Sequence, residues 1–171
     1  MKLIISLIAL FFTTCEKNNP SSSENDNSSP SNDEGYTVMI NSTGISHLVV
    51  FLDSIQGLEA GDEIGVFDLN GVVATDSTGL APEYGEVLVG MATWNQEANA
   101  QGTVASCSAI MSEDLSDFGG PILNGAVDGN DIIFRVYDVS ENVEYNTSAS
   151  FQNGGQFGDI FTTVSTIEIE E

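Results

Sequence analysis

The sequence predicts an all-β protein, an antiparallel β-sandwich of about 8–9 strands preceded by a signal peptide and a disordered linker. Three observations predict it. From Tyr36 onward, runs of strand length rich in Val, Ile, Phe and Thr recur. Clusters of Gly, Asn and Asp separate them, among them Asn41-Ser42-Thr43-Gly44, Glu59-Ala60-Gly61-Asp62, Asn70-Gly71 and Asp128-Gly129-Asn130-Asp131. No window sustains helical periodicity, and 112–118 alone predicts a short helical turn, capped by Ser112. Apolar residues make up 41% of the 171, enough for a packed core.

The elements follow in chain order. Met1-Lys2 is a minimal positive start, and 3–12 is an apolar run broken only by Ser6. The run is too short to span a bilayer and has the length of a signal-peptide core. Small residues Thr13-Thr14 and then Cys15 follow. This arrangement resembles a bacterial lipoprotein signal, and the start Cys15-Glu16-Lys17-Asn18-Asn19 is similar to those of the Bacteroidota. Phe12 and Thr14 stand where the common pattern has Leu and a Gly or Ala. The resemblance implies a signal peptide over 1–14, acylation of Cys15 and attachment to the membrane through the lipid. Several buried acyl chains hold where one is marginal. The expected location is the cell envelope, at the outer membrane or cell surface.

Residues 15–35 form the expected lipidated tether. From Glu16 to Gly35 there is no aromatic or aliphatic side chain, so ordering entropy has nothing to offset it. Such a leash reaches about 65 Å when fully extended and spans about 25 Å as a coil.

Residues 36–171 form the expected sandwich. Strands are predicted over 36–40, 48–52, 63–68, 72–75, 87–94, 103–111, 131–139, 143–147 and 161–169, with a hairpin turn at Asp68-Leu69-Asn70-Gly71. The expected core is Val49, Phe51, Ile64, Val66, Leu88, Val104, Ile110, Ile132, Phe134, Val136 and Ile167. The segments 58–68, 87–90 leading to Trp94, and 128–138 resemble stretches of secreted and surface modules of marine bacteria. That resemblance implies a β-sandwich displayed at the cell surface and carries no catalytic residue set.

Charge narrows the partners. The chain has 26 acidic and three basic side chains, a formal net charge of −23. Phosphate neutralisation needs Lys and Arg, which excludes nucleic acid, and anionic headgroups are equally poor targets. Arg135 is the single cation from Tyr36 onward and is expected to pair with carboxylates. His47 is the single histidine; without a Gly-x-Ser-x-Gly elbow it reads as a strand residue rather than a catalytic base. One His and Cys107 cannot make a zinc site, and Cys107, flanked by Ala105 and Ala109 on its own alternation, reads as a buried inert thiol.

Two groups of residues are candidates for binding. Acidic turns place oxygen ligands at Asp62, Asp68, Asn70, Asp128, Asn130 and Asp131. Ca²⁺ takes six to eight oxygens, so these are the candidate ligands of a structural calcium ion. Trp94, the polar loop opening with Asn95, and Tyr84 are the candidate platform for a glycan or a surface protein, with an apolar core role as the competing assignment for Trp94. The function expected is therefore a non-catalytic interaction module on an envelope-anchored lipoprotein. A structural envelope component is the alternative, and a glycoside hydrolase with a carboxylate pair is a more distant one.

Overall fold

The computed structural model describes residues 35–95 and 97–170; the signal peptide, Cys15 and the tether, expected over 1–35, lie outside them apart from Gly35. The architecture is all-β. In chain order the elements are β1 (Ser46–Leu52), β2 (Glu63–Thr75), β3 (Pro82–Thr93), β4 (Thr103–Ile110), β5 (Glu113–Asp114), β6 (Ile122–Leu123), β7 (Ile133–Asp138), β8 (Val143–Asn153) and β9 (Thr162–Ile169). Seven strands form one sheet in the order β3-β2-β7-β8-β9-β1-β4, and β5 and β6 form a separate small ribbon.

The sheet is mixed where an antiparallel one was expected, because β1 and β9 run parallel, with Val49 opposite Thr162 and Phe51 opposite Val164. The long strand β8 holds the sheet together. Its first residues pair with β7, Arg135 opposite Asn146, and its later ones pair with β9, Ala149 opposite Ile167. A strand of eleven residues is long enough to change partners along its length. The sheet then curls until its first and last strands meet. A Cβ on Gly90 of β3 would stand 3.2 Å from the Ala109 Cα and 3.3 Å from the Cys107 Sγ of β4. Glycine here is a matter of space, since a methyl group would force two backbones apart.

The curl encloses an apolar core. Phe51, Phe134 and Phe157 are fully buried, with Ile64, Val49, Val66, Val89, Val136 and Val164. Phe51 from β1 meets Phe134 from β7 edge to face, ring centres 5.5 Å apart. Nine of the eleven expected core residues are buried; Leu88 and Ile110 are only partly so. In β3 a bulge opposite Val66 and Phe67 shifts the alternation, so Val87 and Val89 turn inward instead of Leu88. In β4 it is the small residues Ala105 and Ala109 that face the core, where the approach of Gly90 leaves no room for Ile110.

Three expected local elements differ. Residues 63–75 form one continuous strand rather than two joined by a hairpin. Asp68 is buried and pairs inward, and the extra residues of 68–71 are absorbed as an irregularity opposite β3. The expected helical turn is a 3-10 turn at Ser116–Phe118 preceded by Leu115, with no side-chain cap, because Glu113 and Asp114 are drawn into β5. Residues 36–40 are not a strand. Tyr36 instead lies over the outer side of β2 and β7, edge to face with Phe67 at 5.6 Å and Tyr137 at 6.1 Å, its backbone N–H donating to Glu63 Oε2 at 2.6 Å.

Candidate functional site

The strands divide the molecule into two ends. At one, β3 runs out and the chain returns as β4, and between them lies a cleft of about 510 Å³. Its walls include Thr93, Asn95, Glu97, Asn99, Thr103 and Ser106, with Met91 and Val104 behind them. That volume lies within the range of small-ligand sites. Glu97 is the single carboxylate of the lining, in a chain otherwise dense with acids. The remaining polar groups are neutral amides and hydroxyls, which recognise by hydrogen bonding rather than by charge.

Local chemistry builds the cleft. Trp94 turns into the core, 4% exposed, and its backbone N–H donates to the Asp62 carbonyl at 2.7 Å while its carbonyl accepts from Gly61 at 2.9 Å. Asn99 organises the return. Its side-chain oxygen accepts from the N–H groups of Gln101 at 2.9 Å and Thr103 at 3.1 Å, and its own N–H donates to the Thr103 carbonyl at 2.9 Å. Gly102 then takes a positive φ of 74° and its carbonyl accepts from Asp53 at 2.8 Å, tying the loop back to the end of β1.

The expected Trp94–Tyr84 platform is not brought together. Tyr84 is exposed near the start of β3 and Trp94 is buried just past its end. Ten residues of strand separate them by roughly 30 Å. Trp94 has the core role that competed with stacking, because its indole is the largest apolar surface available to close that end of the core. Asn95 does line the cleft, donating through Nδ2 to the Thr93 carbonyl at 3.3 Å.

The acidic turns separate into groups. Asp68, Asn70 and Asn130 come together. Asp68, 1% exposed, accepts from the N–H of Asn70 and of Val127, each at 2.8 Å, and from Asn130 Nδ2 at 3.0 and 2.9 Å. Asn130 Nδ2 also donates to the Asn70 carbonyl at 3.1 Å. The carboxylate thus faces N–H donors, which any cation would have to displace. Asp62, at the other end of β2, accepts from the Glu59 N–H at 2.7 Å. Asp131 accepts from Gln156 Nε2 at 3.0 Å, and Asp128 is exposed beside Gly158. Among the described residues no three His, Cys, Asp or Glu side chains group as metal ligands.

The remaining titratable residues sit within the framework. His47 is buried, its Nε2 2.9 Å from Thr162 Oγ1 and its ring edge to face with Phe157. Burial pushes its pKa below that of a free imidazole, with the nearby Asp159 opposing. Burial pushes the Cys107 thiol up to about 12, so it stays protonated and unreactive. Arg135 forms the expected pairs. It binds Glu86 in two-pronged fashion at 2.7 Å each, stands 3.8 Å from Glu144 and lies over the Phe67 ring at 4.5 Å. That bond holds the Glu86 carboxyl below its usual range.

Sequence reasoning reached Asn95 and its polar loop, which runs to Asn99, but missed Thr93, Thr103 and Ser106 as cleft residues. Nothing local marks Ser106, because a cleft between two strand edges is a tertiary feature. No protein family, curated protein or solved structure matches this chain.

Proposed function

We propose that this chain is a surface lipoprotein, acylated at Cys15 and held at the cell envelope, whose β domain is a non-catalytic module that binds a protein or glycan ligand. The observation that carries the binding role is the cleft between β3 and β4. Its volume is about 510 Å³, and its polar side chains are neutral and hydrogen-bonding apart from Glu97, with Met91 and Val104 behind them. The apolar start of the chain followed by Cys15 supports the anchoring. We also read the curled sheet as a sandwich, one half carrying β2 and β3 and the other β1 and β4. The meeting of Phe51 with Phe134, and of Gly90 with Ala109, supports that reading.

One comparison tests both parts. The full chain, Cys15→Ala and Ser106→Trp are expressed in a bacterial host with the lipoprotein pathway, fractionated, and applied to glycan and peptide arrays. Cys15→Ala is expected in the soluble fraction with its array signal intact. Ser106→Trp, which fills the cleft from an exposed position, is expected in the membrane fraction with its array signal lost. Membrane retention of Cys15→Ala overturns the anchor, and array binding by Ser106→Trp overturns the cleft.

A further inference from the structure

The cleft has a wall of backbone as well as side chains. β4 pairs with β1 alone and is the last strand of the sheet. The Met111 N–H donates to the Ile45 carbonyl at 3.1 Å, which marks that pair as hydrogen-bonded. Bonded and non-bonded pairs alternate along an antiparallel ladder. The pairs His47 with Ala109, Val49 with Cys107 and Phe51 with Ala105 are therefore bonded ones. The N–H and carbonyl groups of Ser106 and Ser108 point away from β1, toward the open side. Among the described residues no backbone hydrogen bond reaches them. Beyond them the edge is covered: Ala126 donates to the Ile110 carbonyl at 2.9 Å, and Ser112 donates to the Ala126 carbonyl at 2.7 Å. The uncovered stretch is 104–108, and the cleft runs along its first half.

This edge lacks the devices that keep strand edges apart. Natural edges carry charge, Pro or a covering loop. The other terminal strand, β3, begins with Pro82 and Glu83 and holds Glu86. β4, reading Thr-Val-Ala-Ser-Cys-Ser-Ala-Ile, has no charge and no Pro in a chain where 17% of residues are charged. Its side chains are small, and Ser106 and Ser108 are exposed, so a second backbone has room to approach.

We infer that the open edge of β4 receives an extended, basic peptide segment of a partner protein as an added strand. The inference rests on the cleft being the binding site and names its partner. Charge decides among occupants. A second copy brings another −23, and the segment before the domain is itself net acidic, so both are repelled. The cation nearest to hand inside the domain, Arg135, is already engaged by Glu86. Glu97, in the same cleft, is left to meet a Lys or Arg of the incoming strand. Main-chain hydrogen bonds supply the affinity and the basic side chain supplies the choice of partner. A glycan is the weaker candidate because no aromatic ring lines the cleft among the described residues.

The test uses the full chain in detergent micelles and pools of seven-residue peptides. One pool has Lys at alternate positions with Val, Ile, Thr or Tyr between them; a second has Glu for each Lys. Affinity selection is expected to retain members of the Lys pool and none of the Glu pool. A retained peptide is expected to bind at least about tenfold more weakly after N-methylation of alternate amides, which removes strand pairing but not charge, and to weaken by about as much with Ser106→Pro. Glu97→Gln is expected to weaken it by about threefold to tenfold. Should Ser106→Pro fail to fold, the methylated peptide still decides. Equal binding of methylated and unmodified peptide overturns strand addition. Retention of neither pool, with a glycan-array signal that Ser106→Trp removes, overturns this inference and leaves the cleft standing; loss of both signals overturns the two together.

Discussion

The two ends of the strand stack treat polar groups in opposite ways. At the end holding Asp68, His47 and Gly125, nearly every polar group described above is consumed inside the fold. Val72 and Gly125 exchange two backbone hydrogen bonds, Phe157 donates to Asn130 and Gly129 donates to Phe157, and Asp68 gathers four N–H contacts from three residues. At the other end the loop through Asn99 closes on itself and leaves the edges of β3 and β4 facing a cleft. A buried acid at the first end is therefore a fastener. A lone acid at the second, Glu97, is a group with nothing inside the fold to answer it in the cleft lining. Counting acids along the sequence cannot separate these roles; their donors do.

Substitutions sharpen the contrast, from the closed end to the open one. Asp68→Ala is expected to cost about 3 kcal/mol in urea unfolding, because the partly buried Val127 N–H loses its acceptor and the Asn130 amide keeps only the Asn70 carbonyl. Gly125→Ala follows at about 2–3 kcal/mol. Its φ is 155°, and a Cβ would lie 2.5 Å from both the Met111 carbonyl carbon and the Ser112 nitrogen, where backbone cannot yield. His47 gives the closed end an acid sensitivity. Its folded pKa is lowered, so the unfolded chain binds the proton more readily, and stability falls as pH drops below the ~6.5 of a free imidazole. The slope of unfolding free energy against pH is expected to flatten near pH 6 in His47→Gln. At the open end Asn99→Ala is expected to cost only about 1 kcal/mol, since its partners Gln101 and Thr103 are reached by water. Ser106→Pro is expected to cost about 0.5 kcal/mol or less, because the N–H it removes serves no ladder. A Ser106→Pro cost equal to that of Asp68→Ala would erase the distinction between the ends.

Much of the framework was legible. Val49 and Phe51, like Phe134 and Val136, stand two apart in Val- and Ile-rich runs and face inward together, and period-two alternation is a property of the strand itself. The departures lie where neighbours override local preference. Asp68-Leu69-Asn70-Gly71 has the composition of a hairpin, yet Asp68 is worth more as the acceptor for Val127 and Asn130, so the strand continues through it. Leu88 lost the inward position to a bulge, and Ile110 lost it to the close crossing of Gly90. Of the candidate binding residues, Asn95 reached the cleft, whereas Tyr84 was carried to the opposite end of β3 by strand length alone.

The sequence by itself determined the β class, the position of most strands and the acidic character, because each depends on side chains and their spacing within a few residues. Tertiary structure decided which acids are fasteners, which face of β4 is inside and where the open edge lies. Those properties depend on which distant donors arrive at a given carboxylate and on how far the sheet curls, and no short stretch of chain contains that information.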